Sequence, residues 1–307
     1  MTIATRRRAQ RVLPPSGAAV AQGARSWFPK ALWPLVGAKH CFAGSEGGKA
    51  PLLAAALSLA ACAAQPPPEP PLSYPPAARE RVLRIAEAEW IDWGRQDAAA
   101  ISPDLESAPA NFPRVLAYWR AVPEGAAPIA RNRVLYRENS PQLWREPAWS
   151  AAFISFVMRS AGIDAREFPP SAAHAFYLDA LIADAQRFPA TAPFVPREVT
   201  ERAPRVGDLV CADRSRAPLT SWRDRVAETG HFRPMHCDIV VRVASGVVEA
   251  VGGNVRDAVT LSRFPTDAAG FLLPRPAGQP TWFAILENRL GRLPPWSSPP
   301  NTEGPAS

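Results

Sequence analysis

Three short segments of the chain carry side chains that can do chemistry on a carbonyl group. The first contains Ser150, the second is His236-Cys237-Asp238, and the third ends in Asn254. A serine hydroxyl becomes a nucleophile only while a base such as histidine takes its proton, and a carboxylate stabilises the resulting imidazolium better than an amide does. Ser150 and His236 therefore have the two groups that acyl transfer by a serine requires.

The second segment also offers a metal site as an alternative. In a strand, Asp238 and His236 share one face, about 6–7 Å apart along the chain, and Cys237 points to the other face. His231, nearby in the sequence, adds a fourth possible ligand. The side chains of adjacent strand residues point to opposite faces, however, and no second pair of Cys or His residues completes a tetrahedral site. We therefore predict no metal ion and no cofactor.

The elements that position these segments change from helices to strands along the chain. Apolar residues at helical spacing predict helices at 77–96, 112–122, 150–161 and 171–187. From residue 206 onward the period is two, which predicts strands at 209–212, 236–243, 247–251, 255–261 and 282–287. The proline-containing stretch 123–147 is predicted to be a loop. Helices followed by strands indicate an α+β fold.

By composition, the chain divides into four parts. We predict a presequence, a Pro-rich spacer, one α+β domain and a disordered tail, at residues 1–61, 62–76, 77–293 and 294–307. The apolar run at 51–61 is too short to span a bilayer, which needs about 20 residues. It suits the centre of a secretion signal, and a short buried helix is the alternative.

The end of this apolar run, Leu59-Ala60-Ala61-Cys62, resembles the lipobox of bacterial lipoproteins. The resemblance implies cleavage before Cys62 and lipid attachment to its sulfur. The residues at 63 and 64 are alanines rather than aspartate, which implies sorting to the outer membrane, with the domain facing the periplasm. Because about 50 residues precede the apolar run, too many for such a signal, we expect translation to start near residue 35 or 36.

Charge and cysteine content limit the class of protein. The formal net charge is +7, yet residues 1–61 hold eight Lys or Arg against one acidic residue, and the remainder holds 27 of each sign. Nucleic-acid binding needs clustered cations, so we predict no nucleic-acid partner. In an exported domain, Cys211 and Cys237 can form a disulfide, and two buried thiols are the alternative.

The order of the motifs is similar to that of the papain-like cell-wall amidohydrolases of the NlpC and CHAP types. The motifs are Pro147-Ala148-Trp149-Ser150-Ala151-Ala152-Phe153, Arg205-Val206-Gly207-Asp208-Leu209-Val210, His236-Cys237-Asp238-Ile239-Val240-Val241 and Gly252-Gly253-Asn254. Within this group the chain most resembles bacterial domain-of-unknown-function family 2272, over roughly residues 77–290. The resemblance implies a papain-like fold, in which N-terminal helices pack on a C-terminal antiparallel β-sheet.

The same resemblance implies roles for individual residues. These families place a nucleophilic Cys at the start of a helix, a catalytic His on a strand and a polar residue that orients the His on the next strand. The matching positions are Ser150, His236 and Asn254, and Asp238 is a candidate for the negative charge that a serine nucleophile needs. The chain departs from the families in having Ser150 where they have Cys.

We therefore expect a lipid-anchored envelope hydrolase that cleaves amide or peptide bonds of peptidoglycan, with His236 as base and then acid. The loop 213–233 contains five arginines and would meet acidic groups of the substrate. Further candidates for the lining of the cleft are Trp149, His174 and Trp222. The alternative is an inactive papain-like lipoprotein that binds cell-wall peptides or a protein partner.

Each candidate also has a purely structural interpretation. Ser150 is a good N-cap for the helix that it begins, His236 can be a hydrogen-bonded structural histidine, and Asn254 can be a turn residue that tolerates positive φ. His174 is more often a satisfied structural histidine than part of a cleft. Tryptophans at helical spacing are more often core residues than sugar platforms.

Overall fold

The computed structural model describes residues 69–72, 74–100 and 105–291, which form an α+β domain. Its helices are α1 (Ala77–Asp92), α2 (Phe112–Arg120), α3 (Ala126–Arg137), α4 (Ser150–Ser160), α5 (His174–Arg187) and α6 (Trp222–Val226). Its strands are β1 (Gln96–Asp97), β2 (Phe194–Arg197), β3 (Leu209–Asp213), β4 (Met235–Ala244), β5 (Val247–Gly252), β6 (Thr260–Pro265) and β7 (Thr281–Asn288). Most helices precede the long strands, so the predicted α+β class is confirmed.

The seven described strands form one sheet in the order β1-β6-β5-β4-β3-β7-β2. Neighbouring strands are antiparallel except β1 and β6, which pair in parallel at Gln96 and Thr260. The sheet is therefore mixed, where we expected an antiparallel one. The difference comes from the two-residue strand β1, which follows α1 in the region that we predicted as its last turn.

Helix α4 lies at the centre of the helical layer. It packs against α1 and α2 and against strands β4 and β5. Eight of its 11 residues are buried, as expected for a helix that is apolar nearly all round. This packing holds its first residue, Ser150, inside the domain.

Both ends of α4 are defined by local interactions. At the C-terminal end, Gly162 has φ +79°, and the amides of Gly162 and Ile163 donate to carbonyls of the last turn. This is a Schellman motif, which requires the left-handed conformation that glycine adopts most easily. At the other end the cap residue is Trp149, and Ser150 is the first helical residue. The interpretation of Ser150 as the N-cap is therefore wrong.

The prediction of a loop at 123–147 is wrong in its first half, where α3 runs from Ala126 to Arg137. Pro128 is the third residue of this helix, within the first turn, whose amides have no partner in the helix, so proline costs little there. The buried Asn132 then ties the helix to the following segment, because its Oδ1 accepts from the amide of Trp144 at 2.7 Å.

The prediction of a strand at 255–261 is also wrong in its first half. Asn254, Arg256 and Asp257 have φ values of 55°, 50° and 67°, which are incompatible with an extended chain. The segment is a turn, and β6 begins only at Thr260.

Cys211 on β3 and Cys237 on β4 lie opposite each other in the strand register and form a disulfide. The two residues are 26 apart in the sequence, and the loop between them contains α6. Closing a loop of this length removes freedom from the unfolded chain and stabilises the fold by about 3 kcal/mol.

The end of the predicted spacer packs on the domain. The amide of Leu72 donates to Glu167 Oε1 at 2.8 Å, and the buried Tyr74 accepts from the amide of Asp164 at 3.0 Å. Leu72 and Tyr74, within the predicted spacer, therefore contact the domain. In the described ranges, every helix is too short or too polar to cross a bilayer. The predicted presequence, Cys62 and the predicted tail at 294–307 lie outside the described residues.

Candidate functional site

Ser150 is paired with a histidine, but not with the one that the sequence analysis assigned. Ser150 Oγ lies 2.8 Å from Nε2 of His174, the first residue of α5. Both side chains are buried. The hydroxyl of Ser155 fixes the approach of α5 to α4, because it accepts from the amide of Ser171 and donates to its carbonyl, at 3.1 and 3.2 Å. The two helix starts therefore meet, and their first side chains form the pair.

His174 is a neutral imidazole between two hydroxyls. Burial lowers its pKa well below the usual value for histidine, and the charges of His236 and Arg214 lower it further. Its Nδ1 lies 2.5 Å from the hydroxyl of Tyr177, one turn along α5. Burial and the nearby charge of Asp238 raise the pKa of Tyr177 well above its usual value, so the phenol keeps its proton. When Nε2 accepts from Ser150, Nδ1–H donates to Tyr177.

His236 and Asp238 form a second pair beside the first. His236 Nε2 lies 3.0 Å from Asp238 Oδ1, as expected for residues on one face of a strand. The side chain of His236 is 14% exposed and that of Asp238 is 4% exposed. The rings of His236 and His174 are 5.4 Å apart at an interplanar angle of 63°. Ser150, His174, Tyr177, His236 and Asp238 therefore form one cluster, which we call the two-histidine cluster.

Gly252, the last residue of β5, leaves room for the Asp238 carboxylate. A Cβ at this position would lie 1.7 Å from Asp238 Oδ1 and 3.0 Å from His236 Nε2. The absence of a side chain at residue 252 therefore allows Asp238 to lie against the backbone within reach of His236.

Replacing Gly252 with alanine is expected to lower the free energy of unfolding by about 1–3 kcal/mol, because the added methyl group overlaps the carboxylate. Urea unfolding followed by tryptophan fluorescence measures the change. Gly246→Asn is the control, since φ is +77° there, no described atom lies within 4 Å of an added Cβ, and Asn tolerates this conformation. Equal stability of Gly252→Ala and the parent would contradict the contact.

Asn254 does not take the predicted place beside His236. Its Nδ2 donates to Glu106 Oε2 at 3.0 Å, and the same oxygen accepts from Nε1 of Trp149 at 2.9 Å. Asn254 has φ 55°, as in its structural interpretation as a turn residue. Trp149 is also not a cleft residue, because it is fully buried and packs against the rings of Trp93 and Tyr118.

The segment 213–233, expected as an arginine-rich wall of the cleft, is held to the rest of the domain by two of its five arginines. Arg223 pairs with Glu198 and Arg225 with Asp179, whereas Arg233 pairs with Glu228 within the segment. Trp222 lies on α6 and packs partly buried against the main core. Arg214 and Arg216 are exposed, which makes them the candidates for contact with an acidic ligand.

His236, Cys237 and Asp238 are not arranged as the ligands of a metal ion. Across the described parts of the chain, no three His, Cys, Asp or Glu side chains are grouped so that they could hold an ion. The sulfur of Cys237 is bound in the disulfide, and Asp238 pairs with His236. The backbone carbonyl of the exposed His231 accepts a hydrogen bond from Arg225.

The two-histidine cluster combines the hydroxyl of Ser150 with a neutral base, His174, that contacts it. A second histidine, His236, pairs with the carboxylate of Asp238 beside them. The amides at the start of α4 add hydrogen-bond donors, because the first bond within the helix is the one that Phe153 donates to Trp149. Such a set can transfer an acyl group to Ser150.

Two features of this site were not predicted from the sequence. One is the contact of His174 with Ser150, because the predicted helix 171–187 begins three residues before His174, whereas α5 begins at His174 itself. The other is Glu106, which no motif distinguishes and which reaches Asn254 across 148 residues of sequence.

Comparison with known proteins gives one match. Residues 108–288 match the model of a protein family described as uncharacterized protein conserved in bacteria (DUF2272). The match covers more than half of the chain and includes Ser150, His174, Tyr177, His236, Asp238 and Asn254, whereas Glu106 lies just before it. No curated protein and no solved structure matches the chain.

Proposed function

The chain belongs to the DUF2272 family of bacterial proteins, and we propose that it is a cell-envelope hydrolase that cleaves amide bonds of peptidoglycan peptides with Ser150 as nucleophile. The hydrogen bond of 2.8 Å between Ser150 Oγ and His174 Nε2 carries the proposal. It joins a nucleophile to a base that is kept neutral by burial, at the N-terminus of a helix. The order of the sequence motifs supports amide chemistry and a cell-wall substrate.

In the first step, His174 Nε2 takes the proton of Ser150 while Oγ forms a bond to the carbonyl carbon of the substrate. The electrons of the C=O double bond move to the oxygen and give a tetrahedral oxyanion. The amides of Ala151 and Ala152, in the first turn of α4, are the proposed donors to this oxyanion, together with the positive end of the helix dipole.

In the second step, the C–N bond breaks and the leaving amine takes a proton. We assign this proton to His236, because the carboxylate of Asp238 at 3.0 Å stabilises positive charge on its ring. His236 is also the more exposed partner of the His236–Asp238 pair. Before deacylation, His174 releases its proton to solvent and His236 regains one from solvent. Water then attacks the acyl–Ser150 ester, and His174 takes a proton from it. His174 returns that proton to Ser150 Oγ as the ester C–O bond breaks, so the products are the free carboxylic acid and the restored hydroxyl.

We propose that the fold is papain-like. The buried helix α4 with the nucleophile at its start, and β4 with His236 in the middle of a largely antiparallel sheet, support this assignment. The domain would depart from papain-like enzymes in using Ser150 for Cys, and in placing a helical histidine, His174, against the nucleophile.

We further propose that lipid on Cys62 anchors the protein to the outer membrane, with the domain in the periplasm. The disulfide between Cys211 and Cys237 supports an oxidising compartment. In that location peptidoglycan is the polymer within reach, and its peptides carry carboxylates that suit the exposed Arg214 and Arg216.

A fluorophosphonate probe tests the proposed nucleophile directly, because it phosphonylates an activated serine hydroxyl and leaves ordinary ones unmodified. Peptide mapping of the full-length protein by mass spectrometry is expected to find the adduct on Ser150. The adduct should be absent from Ser150→Ala and retained in Ser160→Ala, which removes an exposed serine at the other end of α4. A folded parent protein that binds peptidoglycan without any adduct on Ser150 would favour the inactive binding protein instead.

A further inference from the structure

Glu106 is a buried carboxylate that has two neutral donors on one oxygen. It is 1% exposed and lies in the 3₁₀ turn Leu105–Ser107. Its Oε2 accepts from the indole Nε1 of Trp149 at 2.9 Å and from Nδ2 of Asn254 at 3.0 Å. A buried carboxylate costs free energy unless its hydrogen bonds are made, so these two contacts hold Glu106 in place.

The two donors lie next to the two halves of the candidate site. Trp149 directly precedes Ser150 and is the cap residue of α4. Asn254 lies two residues after Gly252, whose backbone lies against the Asp238 carboxylate. Glu106 thus accepts hydrogen bonds both from the residue before the nucleophile and from the turn after β5.

We propose that Glu106 is a positioning residue, which through Trp149 and Asn254 holds Ser150 and the His236–Asp238 pair in one arrangement. The catalytic consequence of this inference rests on the proposed hydrolase function, whereas the connection itself does not. Glu106 touches neither histidine in this arrangement and acts through the two donors.

Protonation of Glu106 is expected to weaken the connection near neutral pH. Burial raises the pKa of Glu106 to about 7 and the charge of Asp257 adds to the rise, while the hydrogen bonds from Trp149 and Asn254 and the charge of Arg145 oppose it. An ionised carboxylate accepts stronger hydrogen bonds than a protonated one. The connection is therefore strongest above pH 7.

Stability has the opposite pH dependence. Since the pKa of Glu106 is raised on folding, the native state holds the proton more tightly than the unfolded chain. The contribution of Glu106 to stability is therefore present at low pH and is lost as the pH rises from about 4.5 through 7. This loss gives a second readout that needs no substrate.

The test is a pH titration of the full-length protein by NMR, following the indole N–H of Trp149 and the backbone amides of Ser150, Ala151 and Gly252. We expect all four signals to shift with one midpoint near pH 7 in the parent. In Glu106→Gln, which keeps the shape and removes the titration, this midpoint should be lost at all four. Asn254→Ala removes a hydrogen bond that favours the ionised form, so it should move the midpoint upward.

Glu89→Gln is the matched control. Glu89 is a partly buried carboxylate whose pKa is likewise raised by burial, but it lies on α1 and accepts from Tyr118. The titration of the four signals should persist in this variant. Signals that titrate in Glu106→Gln as they do in the parent would overturn the positioning role.

The activity readout separates this inference from the proposed function. If the parent cleaves peptidoglycan, Glu106→Gln should lower kcat about 10-fold, with KM unchanged, and should flatten the part of the pH profile that has its midpoint near 7. A parent that does not cleave, with the four NMR signals behaving as expected, would reject the hydrolase and retain the positioning role. If the four NMR signals do not titrate together in the parent, the positioning role is rejected whether or not the parent cleaves peptidoglycan.

Discussion

Replacing Ser150 with alanine is expected to lower kcat for hydrolysis of a peptidoglycan peptide by about 10⁴-fold or more, because no other group can form the acyl intermediate. His174→Ala should lower kcat by a similar factor, because the Ser150 hydroxyl becomes a nucleophile only while His174 takes its proton. Residues that act as a unit are not additive, so the double variant should be no slower than the slower single variant. Release of a fluorescent fragment measures all three rates.

Two comparisons make this prediction specific. Ser160→Ala, an exposed serine on the same helix, should retain the parental rate. His236→Ala should lose less than His174→Ala, because it removes only the group that we assign to the leaving amine. The reverse ranking would identify His236 as the base and would contradict the role that we assign to His174.

Replacing Arg225 with methionine is expected to lower the free energy of unfolding by about 3–5 kcal/mol, because it leaves the charge of Asp179, whose side chain is only 10% exposed, without its cation. The Arg225 side chain is fully buried, and its Nε and one terminal nitrogen bond the two carboxylate oxygens of Asp179 at 2.7 and 2.8 Å. Arg225 also donates to the carbonyl of His231 at 2.7 Å. The pair attaches the segment that contains α6 to α5, the helix that carries His174.

Urea unfolding measures this loss, and two variants give its cause. Arg223→Ala breaks an ion pair in which the arginine is exposed, and it should cost no more than about 1 kcal/mol. The double variant Arg225→Met with Asp179→Leu leaves no unpaired charge, so it should be more stable than Arg225→Met alone. If Arg225→Met and Arg223→Ala were equally stable, the buried pair would not hold the segment.

The elements at the centre of the fold were predictable because local signals specify them. The helical spacing of Phe153 and Val157, followed by Gly162, predicts the extent of α4 to within one residue. Period-two runs similarly predict β3, β4, β5 and β7. Asp238 was predictable as the neighbour of His236, because two residues on one strand face are fixed by the strand alone.

The contacts that make up the site were less predictable, because they depend on how distant elements approach each other. The pair of Ser150 and His174 requires two helices to begin at the same place, which no spacing within either helix indicates. Asn254 was assigned to His236 from the order of the motifs, but a turn with positive φ directs it to Glu106 instead. Pro128 suggested a loop, although proline in the first turn is compatible with α3.

The most direct test of the proposed function is digestion of purified peptidoglycan by the full-length protein, with the released fragments identified by mass spectrometry. We expect fragments with new amine and carboxyl ends from the parent and from Ser160→Ala, and none from Ser150→Ala or His174→Ala. Identical fragments from Ser150→Ala, or no fragments from a folded parent, would contradict a serine hydrolase built on Ser150 and His174.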